Sequence, residues 1–161
     1  MQGDFARVTF DKLDHFTCVL QHQGRVQLEA DWNEQGAIFL HLLRTFIVDL
    51  TGPAWRAGDG FVLAWNTANT DVTISRGHFY IDGLLCENDP DQTFQSQPWL
   101  PLPDGDSTPA AGKPGFFYID AWERHVTSNE VPRLRETALG TVETTSRAQL
   151  VWQIRDRKSV V

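Results

Sequence analysis

The chain has 161 residues, 41% of them hydrophobic and six of them tryptophan, enough to fill the core of one domain. Its net charge of −7, with fourteen Lys and Arg scattered along it, argues against nucleic acid as the main partner, because phosphate binding needs a clustered basic face. No apolar run approaches the ~18 residues of a membrane span, and Met1-Gln2-Gly3-Asp4-Phe5-Ala6-Arg7 lacks the basic and apolar regions of a secretory signal.

Residues 1–23 mix charges with Phe5, Phe10, Phe16, Val19 and Leu20 and read as a lead-in with short elements. Gly24-Arg25-Val26 is extended, and a long helix is predicted over residues 29–50. Glu29, Asp31 and Glu34 crowd its first turns, where carboxylates complement the positive end of the helix dipole. Leu28, Trp32, Gly36, Phe39, Leu43, Phe46 and Leu50 recur in steps of four and three that alternate from Trp32 onward, the heptad spacing, and Leu40 and Ile47 widen the same face. Thr51-Gly52-Pro53 stops it with a glycine and then a helix breaker. Between Gln35 and Leu50 only Arg44 and Asp49 are fully charged, so cover on more than one side is expected. That cover is the chain's own strands, copies of the helix, or both on different faces.

Residues 60–87 read as an antiparallel meander. Phe61–Trp65, Val72–Ile74 and His78–Ile81 are its strands, Asp82-Gly83 is its strongest hairpin signal, and Leu84-Leu85-Cys86 continues beyond the turn. Residues 88–115 hold six of the eight prolines and read as a loop. Residues 116–122 form a strong strand, 126–147 a polar excursion, and 148–154 a closing strand that pairs with it. The fold expected is α+β, one long central helix packed on a mostly antiparallel sheet. It is a single domain over 1–156 (1–23, 24–52, 60–87, 88–115 and 116–156 in turn) with a tail at 157–161. A core strand so close to the end suggests the front of a longer protein.

Few residues point to chemistry. No P-loop, GxGxxG, GxSxG, HExxH or CxxC occurs. Asp120, Glu123 and His125 are the best acid/base or metal cluster, but a strand's two-residue period splits Asp120 from Glu123. The simpler reading is an ordinary strand end. Cys18 and Cys86 read as buried free thiols and His41 as a core or interface histidine. Trp32 reads as a core anchor at the helix start more simply than as a sugar platform. No catalytic residue, metal or cofactor is expected.

The run Met1-Gln2-Gly3-Asp4-Phe5, Thr9-Phe10-Asp11 and Gln23-Gly24-Arg25-Val26-Gln27-Leu28-Glu29-Ala30-Asp31-Trp32-Asn33-Glu34-Gln35 resembles the N-terminal domain of an uncharacterised bacterial family. Members of that family are associated with extracellular contractile injection systems, which are phage-tail-like particles. The segments Gly77–Glu87, Tyr118–His125 and Arg147–Gln153 extend the likeness over nearly the whole chain, while Gly140-Thr141-Val142-Glu143 departs from the family's usual loop. Gly24-Arg25-Val26, Trp32-Asn33-Glu34 and Tyr80-Ile81-Asp82-Gly83 also echo phage baseplate and tail-fibre N-terminal adaptor domains. The resemblance implies a non-enzymatic assembly or adaptor module, made in the cytoplasm and carried by a particle that is released. Its partners are then other particle components and itself, a trimer by the phage pattern, with no nucleic acid and no membrane insertion. Trp32, Gly36, Phe39, Leu40, Leu43, Phe46, Ile47 and Leu50 form the expected interface. A carbohydrate- or cell-surface-binding module is the alternative, for which Trp55, Trp65 and Trp99 should stand exposed in a row.

Overall fold

A computed structural model of the chain describes residues 3–68, 70–99, 115–140 and 142–157, without the side chain of Arg157. Most of the Pro-rich loop, Thr141 and the end of the tail lie outside the described residues. Among the described residues the architecture is α+β: one long helix, α1 (Glu29–Thr51), and eight strands in antiparallel sheets of three, three and two strands. The chain forms two compact units, the first from Met1–Gly52 and His125–Ala148, the second from Pro53–Arg124 and Gln149–Val161.

In the first unit the chain before α1 carries a 3-10 turn at Lys12–Asp14, which Asp11 caps by accepting from the Leu13 N–H at 2.9 Å. It carries a second turn at Gln23-Gly24, where the Arg25 N–H donates to the His22 carbonyl and Gly24 stands at φ 71° rather than extended as expected. α1 starts at Leu28, whose extended backbone leads into a first turn bearing Glu29 and Asp31. It stops where Gly52, at φ 82°, donates its N–H to the Val48 carbonyl at 2.7 Å. The start and stop are those read from the sequence.

In the second unit, strands β1 (Ala54–Ala57), β4 (Gly77–Ile81) and β5 (Leu84–Asn88) form one sheet, in the order β1-β4-β5. Strands β2 (Leu63–Asn66), β3 (Asp71–Ile74) and β6 (Gln92–Thr93) form another, in the order β2-β3-β6. The turn between β4 and β5 is Asp82-Gly83, with Ile81 opposite Leu84 and φ of 48° and 74°, the doubly left-handed geometry of a tight hairpin. The expected single meander is corrected here, because β3 and β4 belong to different sheets. The break sits where Gly60 crosses Gly77: a Cβ on Gly77 would lie 2.5 Å from the Gly60 Cα, so neither residue can carry a side chain in place. Phe61 turns next at φ 58°, and β2 therefore begins at Leu63 rather than at Phe61.

Long strands β7 (Phe116–Val126) and β8 (Arg147–Arg157) pair with each other as expected. The second unit's core gathers Phe61, Val72, Ile74, Cys86, Phe94, Trp152 and Ile154. Phe61 meets Trp152 edge-on with ring centroids 4.7 Å apart. Buried amides close the core's polar seams. Gln97 bonds the backbone of Phe94 and Ile154, Asn88 donates to the Ser75 carbonyl at 3.0 Å, and the Trp152 indole donates to the Glu87 carbonyl at 2.7 Å.

Candidate functional site

The face of α1 that the heptad spacing marks is open. Trp32 is 67% exposed, Phe39 60%, Leu43 54%, Phe46 61% and Leu50 69%. Gly36 and Leu40 are exposed as well, and Ile47 is half-buried at the margin. At about 100° per residue, Trp32, Gly36, Phe39, Leu43, Phe46 and Leu50 fall within about 80° of one another, in one stripe along the helix. Ala30, Glu34, Ile38, His41 and Val48 lie a third to a half turn away. That second face is the one the first unit itself covers: Ala30 and Ile38 are buried, the Thr9 hydroxyl donates to the Glu34 carboxylate, and Phe10 packs on the His41 ring at 5.5 Å. Val19 reaches the flank, donating its N–H to Gln35 Oε1 at 2.8 Å. The extended arm therefore spends its contacts on the back of the helix and leaves the seam bare.

Two expectations change with this. Trp32 does not anchor a core, because it belongs to the stripe that the arm leaves uncovered. Cys18 is not buried either: it sits exposed on the extended arm, whereas Cys86 is buried at the centre of the second unit. Burial pushes the Cys86 thiol up to about 11. His41 is half-buried against Phe10, in line with a packed rather than a ligating histidine.

Gly36 stands out within the seam. Among the described residues a Cβ there would meet nothing within 4 Å, so their packing does not call for glycine. Glycine inside a helix costs about 1 kcal/mol relative to alanine. Contiguous exposed aromatic and aliphatic side chains on this scale mark an interaction surface.

The strand cluster singled out for acid/base or metal chemistry is divided between the units, Asp120 and Glu123 in the second and His125 in the first. Asp120 is engaged by Arg155 at 3.3 Å. The His125 ring meets Phe5 edge-on at 5.5 Å, and Gly3 runs so close that a Cβ on it would lie 2.5 Å from that ring. Among the described residues no group of three His, Cys, Asp or Glu could hold a metal ion. Glu143 accepts from the Ser128 backbone N–H, and that bond, with His125 and Arg135 nearby, holds its carboxyl below the usual range.

The second unit carries an open apolar cleft of about 390 Å³ lined by Phe61, Leu63, Phe79, Ile81, Phe117 and Ile119, with Ala54, Tyr118 and Ile154. Trp55 and Trp65 are exposed, on separate sheets, and Trp99 is half-buried with the Arg124 guanidinium 4.8 Å above its ring. Trp55 instead stands beside Tyr80, its register partner, with centroids 5.5 Å apart. Among the described residues no helix is long and apolar enough to cross a membrane.

A family model described as a family of unknown function (DUF6519) matches residues 1–159. No curated protein matches the chain. No solved structure matches it.

Proposed function

The chain belongs to that family of unknown function, and from this premise we propose that it is a non-enzymatic assembly module that associates through α1. The observation that carries the reading is the bare seam of Trp32, Gly36, Phe39, Leu43, Phe46 and Leu50 on a helix whose opposite face is already packed. Burial of such surface is the main favourable term in association, at roughly 25 cal/mol per Å². The setting proposed is a phage-tail-like contractile injection particle, in which the chain is a baseplate- or fibre-associated adaptor. The resemblance of the Gly24–Gln35 and Trp122–His125 runs supports that setting.

Light scattering on the purified chain tests the assembly step. Self-association that Phe39→Glu or Leu43→Glu abolishes is the expected outcome, and a clean monomer at high concentration overturns it. Electron-microscopy density for an intact particle, with this chain placed in it or absent from it, tests the setting.

A second reading rests on the Trp55–Tyr80 pair. With His78 and Glu87 on the same side of the β1-β4-β5 sheet, 3.9 Å apart, it offers an aromatic platform bordered by hydrogen-bonding groups, suited to a sugar ring. Glycan-array binding that Trp55→Ala removes supports a carbohydrate-binding module; no binding to any glycan removes it.

A further inference from the structure

The seam residues differ in size along α1, and the differences are arranged symmetrically about His41. Trp32 lies nine residues before it and Leu50 nine after; Gly36 lies five before and Phe46 five after; Phe39 lies two before and Leu43 two after. A second α1 laid antiparallel, its His41 level with the first, forms layers of Trp32 on Leu50, Gly36 on Phe46, and Phe39 on Leu43. In the heptad each layer sets an a position against a d position, which is how knobs fill holes between antiparallel helices.

A parallel arrangement stacks like on like. Gly36 would then face Gly36 between layers of paired Trp32 and paired Phe39, whose bulk holds the axes apart and leaves a void at the glycines. In the antiparallel arrangement the largest gap in the seam receives a phenyl ring. This also accounts for Gly36, which nothing among the described residues requires.

The area is sufficient for a partner of this kind. With fractional exposures of 54–69% on Trp32, Phe39, Leu43, Phe46 and Leu50, and with Leu28, Leu40 and Leu42 beside them, one copy offers on the order of 800 Å² of apolar surface. A standard protein interface takes about that much from each side.

We infer that the occupant of this face is a second copy of the chain, in a two-fold antiparallel pair of α1 helices with Phe46 of each copy seated over Gly36 of the other. The inference rests on the self-association proposed above and names its orientation and order.

A size swap tests it on the full chain. Gly36→Phe and Phe46→Gly are each expected to weaken the dimer by about tenfold or more. The double variant should regain most of the loss, because in it the phenyl ring and the gap have only changed places across the same layer. Cross-linking keeps the test independent of whether Phe46→Gly folds. In a Cys18→Ser background, chains with Gly36→Cys mixed with chains with Phe46→Cys should form a mixed disulfide. Leu50→Cys alone should form none, since the two copies of that position lie about 27 Å apart along the axis. Self-linking of Leu50→Cys, absence of the mixed disulfide or a trimer by light scattering overturns the antiparallel pair while leaving self-association standing. A monomeric wild-type chain overturns both.

Discussion

The side-chain amide of Gln97 does for Ile154 what a neighbouring strand would do. Gln97 Oε1 accepts from the Ile154 N–H at 2.6 Å, and Gln97 Nε2 donates to the Ile154 carbonyl at 3.1 Å and to the Phe94 carbonyl at 2.8 Å. All of these groups are buried, so none has water as an alternative partner. Gln97→Leu keeps the volume and strands the Ile154 N–H and two carbonyls. At about 1–3 kcal/mol for each of three unsatisfied buried groups, a loss of about 3 kcal/mol or more is expected. Urea unfolding followed by circular dichroism checks it; an unchanged midpoint would show that water fills the amide's place.

Glycine substitutions should separate two kinds of glycine. Gly77→Ala would place a methyl 2.5 Å from the Gly60 Cα at φ 137°, a conformation that alanine resists. About 2–4 kcal/mol of destabilisation is expected from strain and overlap together. Gly36→Ala, with open space around it, should raise the helicity of the dissociated chain. Equal effects of the two in dilute thermal melts would contradict the crossing of Gly60 and Gly77.

Acid should loosen the first unit at Glu143. Its folded carboxyl is held below its ordinary value of 4.5, first by the Ser128 backbone N–H, then by the Ser128 hydroxyl, and further by the charges of His125 and Arg135. A group depressed in the folded state stabilises fully above its unfolded pKa, and that contribution is lost as pH falls from about 4.5 through the lowered value. Amide exchange at Ser128 should therefore quicken below about pH 4.5, and Glu143→Gln should flatten that dependence.

The two thiols should react at very different rates. Cys18 is exposed on the arm, and Cys86 is buried with its thiol raised to about 11. Only the thiolate attacks, so a thiol reagent at neutral pH should modify Cys18 quickly and Cys86 only on unfolding. Cys18→Ser should delete the fast phase. A fast phase that survives it would mean that the core around Cys86 opens readily.

What could be read in the sequence was what local chemistry decides. The Thr51-Gly52-Pro53 stop, the carboxylates in the first turn of α1 and the Asp82-Gly83 hairpin each act within a few residues, and each stands where it was read. The split into two sheets could not be read, since it depends on Gly60 meeting Gly77 across a gap of seventeen positions. Strand β1 was missed for a related reason: Trp55-Arg56-Ala57 has no strong alternation of its own and is strand only through its pairing with β4. For the candidate site, the heptad spacing located the stripe. Spacing alone does not say whether a stripe faces inward, which is why Trp32 read as a core residue. The contacts of Thr9 and Phe10 with the other side of α1 decide that.

Asn88 ties β5 to its surroundings through both ends of one carboxamide. Its Nδ2 donates to the Ser75 carbonyl at 3.0 Å, its Oδ1 accepts from Gln92 at 2.9 Å, and the residue itself is buried. Hydrolysis of this carboxamide, with water entering and ammonia leaving, would put a carboxylate oxygen where the donor stands, facing a carbonyl oxygen with no proton between them.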